Sequence, residues 1–568
     1  MLHATIKQRP DVGVVICPPF GWDEMASYRP RREWAQTLAE QGITALRIDL
    51  PGTGDSDGYP TDEGRVEAWT VALDEAVRWL RHETGCRRVV AIGIGVGGLL
   101  AYAAVAQGAP INDLVLWGTP GRGRTFIREL KAFARMEAIQ QDKDEDGVRD
   151  QLPAGWLSAG GYVITAETCT ALEDLDVSEL PLPTAAGRHA LLIERDGISV
   201  DARLREALER QRVSVQTIPG EGYGQMMVEP QLARTPTTTV EQVAEWIAAL
   251  DTPAAIAPAP HEGVPRASTE AQVHAPDGTL LRESFLTIEH PLGDMFGVLT
   301  EPLEGRGELT SLLLGGTGHR IGPNRMWVEA ARRWAASGVP SVRLDLAGAG
   351  DAGGVQAPDV PALHQPEFTE QLNLALHELE QMGLSPHTVT VGLCVGAYWA
   401  LQASLRTDRE VVPLMLNPRV LVWDEEVYVN RMARHYLAEL RHASNWRRLI
   451  DGEAHVTRAL GTMMRRLKMV AIGRGGSRRD ERSPTSGQLA DSVFDELRER
   501  RRHALILFTG PESLLQKFEH EGRLERMERW PNLTLEVVPG LSDLHTLRQI
   551  WLQQKVHQLL DAALEREQ

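Results

Sequence analysis

Along the chain, short apolar runs alternate with stretches whose apolar residues recur every three or four positions, and the alternation occurs twice. The amphipathic stretches REWAQTLAEQ and WVEAARRWAAS each read as a helix, and each leads into a buried run ending in a glycine-rich turn. Those two runs, Gly42–Gly58 (GITALRIDLPGTGDSDG) and Gly338–Gly354 (GVPSVRLDLAGAGDAGG), align without gaps and share Gly, Arg, Asp, Leu, Gly, Gly, Asp and Gly. Both copies continue in one order: a helix (VEAWTVALDEAVRWLRHE; EFTEQLNLALHELEQM), an apolar strand (RRVVAIGI; HTVTVGL), then a glycine-centred turn into a further helix. This rhythm predicts two α/β units, each a doubly wound, mostly parallel sheet.

The 568 residues exceed what one core accommodates, so two domains are expected. DTPAAIAPAPHEGVPRAST is rich in Pro and Ala and reads as a linker, which sets a first domain at 1–250, a linker at 251–270 and a second domain at 271–568. The second copy carries extra strand-like sequence in front (RESFLTIEHPLGDMFGVLTEP). It also carries an insertion of helical periodicity between VVPLMLN and HALILFT, expected as a lid at about 424–503. Residues 430–482 hold thirteen Arg or Lys against five Asp or Glu. That patch reads either as a solvated helical face or as a landing site for an anionic partner.

Charge narrows the function classes. A net charge of -18 and a pI near 5.5 disfavour a nucleic-acid binder, which needs a basic surface. Cys17, Cys86, Cys169 and Cys394 form neither a disulfide framework nor a metal-ligand spacing, which suits a reducing compartment. The N-terminus lacks a secretory pattern and no apolar run is long enough to span a bilayer, so a soluble cytoplasmic protein is expected. No P-loop or zinc pattern occurs, and no nucleotide or metal cofactor is inferred.

The chemistry concentrates in the second copy. Gly392-Leu393-Cys394-Val395-Gly396 follows a strand and enters a helix, the setting in which a strained turn pushes a nucleophile toward substrate. There the Val395 N–H stands at a helix N-terminus, positioned for an oxyanion, and Gly316 and Thr317 in the loop LLLGGTGHRIGPNR offer the second donor. Cys394 also admits a bland reading as a buried core cysteine. His545, in the turn after the last strand, is the expected base. Glu512, after HALILF, is the expected acid, with Asp424 as the alternative. His319 and Arg325 are candidates to hold a substrate carboxylate or phosphate, or are structural, while Asp55 and Asp351 read as elements of the fold. The first copy puts Gly95 where a nucleophile must stand and has Tyr223, Gly224 and Gln225 where the second has Asp543, Leu544 and His545. Asp201 survives there as an acid with nothing to orient, so the first domain is read as a non-catalytic partner packed on the second.

These features resemble the α/β-hydrolase superfamily over most of the chain, and the cysteine resembles the nucleophile of dienelactone hydrolases. The sequence is similar to hydrolases associated with exosortase A systems in Gly392–Ala397, in Gly322-Pro323-Asn324-Arg325, in Asn417-Pro418 and in Pro18–Met25 (PPFGWDEM). It departs from their Asp-His-Thr by Leu544 between Asp543 and His545, and it has Glu512 where Asp is commoner. The resemblance implies acyl chemistry in a biosynthetic setting. The expected activity is acyl transfer, or thioester or ester cleavage, through an acyl-Cys394 intermediate, with an acidic carrier protein as a candidate acyl donor for the basic insertion. Carboxylic-ester or lactone hydrolysis, lyase or cyclase chemistry, and a non-catalytic scaffold are the other readings of the same residues.

Overall fold

The computed structural model describes residues 1–5, 11–141, 152–183, 187–250, 268–355, 360–425, 486–510, 512–538 and 550–568. The first half holds β1 (Leu2–His3), β2 (Val12–Cys17), β3 (Thr44–Arg47), β4 (Arg88–Ile94) and β5 (Asp113–Trp117). It continues with a small hairpin of β6 (Leu157–Ala159) and β7 (Tyr162–Ile164), then β8 (His189–Ile193) and β9 (Ser214–Ile218). The second half holds β10 (Glu270–His274), β11 (Leu280–Ile288), β12 (Met295–Pro302), β13 (Thr310–Leu314) and β14 (Ser341–Asp345). Its remaining strands are β15 (Thr388–Leu393), β16 (Val411–Leu416), β17 (Ala504–Thr509) and β18 (Leu533–Val538).

The sheets run in the orders β1-β3-β2-β4-β5-β8-β9 and β10-β11-β12-β14-β13-β15-β16-β17-β18. From β12 onward the second order repeats the first strand for strand. In the first sheet only β1 pairs antiparallel, whereas in the second β10, β11 and β12 do. The strand-like sequence expected in front of the second copy forms β11 and β12; β12 is the counterpart of β1, and β10 and β11 are the strands that lengthen this edge of the sheet.

Parallel strands covered by helices on both faces are apolar throughout. In β4, Val89 and Ala91 face one core cluster, and Val90, Ile92 and Ile94 the other. In β13, Leu313 points to one side, and Leu312 and Leu314 to the opposite side. The two helices foreseen ahead of the repeated turns are Tyr28–Glu40 and Met326–Ala336, whose buried stripes include Trp34, Ala35 and Leu38, and Ala330, Ala331 and Trp334. Residues 251–267 of the expected linker and 426–485 of the expected lid lie outside the described residues. The helix Ser486–Glu499, inside the expected lid range, buries Val493, Phe494 and Leu497 against Ile506, Phe508 and Trp530, so it covers the sheet. Among the described residues, no helix is long and apolar enough to cross a membrane.

The terminal helix Ile550–Glu567 seals one face of the second sheet and carries His557 against Arg333, with Asp561 accepting from both Arg333 and the Trp334 indole. Burial pulls the His557 imidazole down to about 4, helped by Arg333 and opposed by Asp561. Burial does the same to His3. An imidazole held neutral in the fold, while the unfolded chain takes up a proton below about 6.5, stabilises above that pH. That contribution is lost as the pH falls toward 4. By pH 5 His557 alone is expected to withdraw about 2 kcal/mol of stability. Urea unfolding at pH 7.5 and pH 5 should show the decline, and His557→Gln should reduce it; equal slopes in the two proteins would contradict the assignment.

Candidate active site

Cys394 closes β15 and caps the helix Val395–Arg406 with φ 58° and ψ -110°, a left-handed backbone that ordinary side chains avoid at a cost of about 1–3 kcal/mol. Two features enforce it. The Cys394 N–H donates to the Leu416 carbonyl (2.9 Å), extending the β15–β16 ladder into the turn. A side chain on Gly392 would come within 2.2 Å of the Gly396 backbone, so the strand and the helix touch through bare glycine. The same turn exists in the first half, where Gly95 has φ 56° and ψ -128° and its N–H donates to Trp117 (2.9 Å). The two turns have one shape, and only the second carries a side chain at its apex. Cys394 is half-buried, whereas Cys17, Cys86 and Cys169 are buried.

Gly316 lies beside this elbow. Its φ of 64° suits glycine, and a side chain there would stand 3.2 Å from the Leu393 carbonyl oxygen and 3.8 Å from the Gly396 nitrogen. The loop after β13 therefore reaches the helix start where the Val395 N–H lacks an intrahelical acceptor. Thr317 is half-buried in the same loop. Glu512 is buried in the turn after β17, at the N-cap of the helix Ser513–His520. Asp424 is half-buried beyond β16. His545, with Asp543, Leu544 and Thr546, lies outside the described residues.

Asn417 joins the two turns from which the acid would come. Its side chain donates to the Thr509 hydroxyl (2.7 Å) and accepts from the Thr509 N–H (2.8 Å), with its own backbone at φ 48°. The carboxyl ends of β16 and β17 are thereby clamped at the edge of the sheet that carries Cys394.

In the first half, the Tyr223 hydroxyl would lie 3.3 Å from any side chain placed on Gly95. Its ring is buried against Trp117, with centroids 5.4 Å apart, and under the Arg195 guanidinium. Burial pushes the hydroxyl far above the usual phenol range, so it stays protonated. The carboxylate that fixes this loop is Asp196, which accepts from the N–H groups of Gly222 (2.6 Å), Gly224 (2.7 Å) and Tyr223 (3.2 Å). Asp201 instead caps the helix Ala202–Arg210 through the Arg203 N–H and accepts from Gly121.

The repeated turns meet across the two halves. Arg47 of the first pairs with Asp351 of the second, and the aligned Arg343 of the second pairs with Asp55 of the first. Tyr28 donates to Asp351, and Arg320 bonds Asp55, Asp345 (2.9 Å) and Asp351 (2.9 Å). Arg32 donates to the carbonyls of Gly350 and Ala352, both at 2.6 Å. Arg325 is buried and reaches the carbonyls of Gly54 (2.9 Å), Ser56 (2.5 Å) and Gly58 (2.9 Å). His319 is buried with its ring 3.7 Å from that of Tyr28, centroid to centroid, and its Nε2 faces Arg320. The structure thus places His319 and Arg325 in the contact between halves, with Asp55 and Asp351. Burial alone would raise both Asp carboxyls, but Arg320 with Arg343, and Arg47 with Arg320, hold them far below the usual carboxylate range. His319, Asp345 and Asp351 gather their ligand atoms within 4.8 Å, yet the Arg320 guanidinium already supplies the cation between the two carboxylates. The arginines of the repeat were visible in the sequence as aligned residues, but their crosswise partners were not.

Residues 14–267 match a family model described as the alpha/beta hydrolase family. No curated protein matches the chain. Among solved structures the chain is similar to an alpha-beta serine hydrolase homologue from Coxiella burnetii, at 14% identity over 50% of this chain and 97% of that one, with a TM-score of 0.30. It is also similar to Est1E from Butyrivibrio proteoclasticus with ferulic acid bound, at 16% identity over 44% and 91%, with a TM-score of 0.30. A thermophilic esterase from Thermogutta terrifontis is 17% identical over 53% and 99%, with a TM-score of 0.28.

Proposed function

Taking the match of residues 14–267 to the alpha/beta hydrolase family as premise, we propose that the second half is a cysteine-dependent acyl-transfer or thioester- and ester-cleaving enzyme and that the first half has ceased to catalyse. The observation that carries this reading is the strained backbone of Cys394, shared with Gly95 but ending in a thiol. Strain at a half-buried nucleophilic side chain is a cost that a merely structural cysteine would not need.

In this mechanism His545 takes the Cys394 proton, with Glu512 orienting the imidazole. The thiolate sulfur then bonds to the carbonyl carbon of an ester or thioester. The N–H of Val395 and those of the Gly316–Thr317 loop hold the oxyanion. Collapse breaks the bond to the alcohol or thiol, which leaves with the proton from His545 and leaves an acyl-Cys394 thioester. An amine, thiol or water next gives a proton to His545 and takes the acyl group, restoring the thiolate and then the thiol. Thioesters transfer to amines and thiols more readily than acyl-serines do, which favours transfer over hydrolysis. Ester or lactone hydrolysis is the second reading, with water as the acceptor. An acidic carrier protein suits the thirteen basic residues of 430–482 as an acyl donor, in a biosynthetic pathway.

Intact-protein mass spectrometry after exposure to a panel of acyl thioesters and activated esters tests the proposal. A mass gain present in the native chain and absent in Cys394→Ala is expected, and the added mass identifies the acyl group. No adduct and no turnover across the panel, with a thiol that also resists alkylation, would favour the scaffold reading.

A further inference from the structure

We propose that the first half sets the oxyanion loop of the second, with Asp55 and Tyr28 acting across the contact as positioning residues for Gly316 and Thr317. The catalytic consequence of this role rests on the reading of Cys394 as the nucleophile. The loop from Gly315 to Gly322 contains four glycines, Gly315, Gly316, Gly318 and Gly322, so its backbone has little intrinsic preference for one shape. What holds it is external to its own conformational bias.

Its own half contributes Asp345, which accepts from the Arg320 N–H (2.7 Å) and guanidinium (2.9 Å). Its own half also supplies Asp351 to the Arg320 guanidinium (2.9 Å) and the Phe296 ring beneath it, and the first half adds a separate set of contacts. Asp55 takes Arg320, the Tyr28 ring lies against His319, and the turn carbonyls from Gly54 to Gly58 take Arg325. Tyr28 also donates to Asp351, the other carboxylate on Arg320.

A displacement at Arg320 does not stay there. A side chain on Gly315 would come within 2.4 Å of the His319 carbonyl oxygen, and the Gly322 N–H donates to that same oxygen (2.9 Å). Both ends of the loop therefore meet the backbone carbonyl of His319, the neighbour of Arg320, and Gly316 follows Gly315 to the elbow. An oxyanion donor works only within a few tenths of an ångström of the developing charge, so a loop released by the first half would cost rate without removing the thiol.

The test uses the full chain carrying Asp55→Asn, Asp55→Glu or Tyr28→Phe. Hydrogen exchange of the amides of residues 315–322 reads the loop. Acylation of Cys394 by p-nitrophenyl acetate, which needs the oxyanion donors, is compared with its alkylation by iodoacetamide, which does not. In Asp55→Asn we expect exchange of the loop to quicken at least about tenfold while residues 388–393 keep their protection. Acylation should slow by about 10- to 100-fold with alkylation within about twofold of native. Asp55→Glu should recover part of the acylation rate. Tyr28→Phe, which keeps the ring on His319, should shift both readouts in the same direction by less and serves if Asp55→Asn does not fold. Unchanged loop exchange would overturn the positioning role. Quickened exchange with unchanged acylation would overturn the catalytic link, and equal loss of acylation and alkylation would show general loosening instead. If the native chain shows no Cys394-dependent acylation, the nucleophile reading falls, while the exchange measurement still decides whether Asp55 and Tyr28 hold the loop.

Discussion

Replacing Arg343 by methionine is expected to destabilise the protein by about 3–5 kcal/mol, the cost of leaving buried carboxylates without their cation. Arg343 is fully buried in β14 and stands between Asp55 of the first half and Glu283 of the second. Methionine fills much of the volume, so the loss is electrostatic. Asp55 keeps Arg320 and Glu283 keeps Arg332, which puts the expectation toward the lower end of that range. Urea unfolding at pH 7.5 measures it. A double variant Arg343→Met with Asp55→Asn should lose less than the sum of the two single variants, since the second change removes a charge that the first strands. A single variant within about 1 kcal/mol of native stability would mean that the crosswise pair contributes little to the fold.

The second large effect concerns turnover. On whichever acyl substrate the adduct experiment identifies, Cys394→Ala should lower kcat by about 10⁴-fold or more, because removing the nucleophile leaves only binding and oxyanion stabilisation. Cys394→Ser keeps the shape of the elbow, but a hydroxyl far less acidic than a thiol must be activated by the same base. It should fall between alanine and native. Gly95→Cys puts a thiol on the matching turn of the first half, beside a protonated Tyr223 with no histidine in that loop. No turnover should appear there in the Cys394→Ala background. Activity surviving Cys394→Ala would remove the covalent mechanism.

The duplicated layout was legible because parallel strands buried on both faces and amphipathic helices leave strong periodic patterns. Tyr28–Glu40, Met326–Ala336, β4 and β15 fall where the pattern puts them. The elbow was legible too, since Gly392 and Gly396 around Cys394 announce a close crossing of strand and helix. The partners of charged loop residues were not legible. Arg325 and His319 sit in the loop that approaches the elbow and are of the types that bind anionic substrates, so local sequence points them at a ligand. Their actual neighbours, the Gly54–Gly58 carbonyls and Tyr28, lie in the other half of the chain. Asp196 was passed over for Asp201 because both follow β8, and only the loop geometry shows which one reaches the Tyr223 turn.

The crosswise pairing of Arg47 with Asp351 and Arg343 with Asp55 is reciprocal, the form that two copies of one patch take when they face each other. Each turn carries both members of a self-complementary pair, as a patch must when it meets a second copy of itself about a two-fold axis. A single unfused copy bearing Arg and Asp at these positions would carry both members of the pair that a symmetric homodimer uses. Joining two such copies in one polypeptide fixes their ratio and lifts the requirement that both remain identical. The seam can then persist while the two matching turns diverge, one bearing Cys394 and the other Gly95.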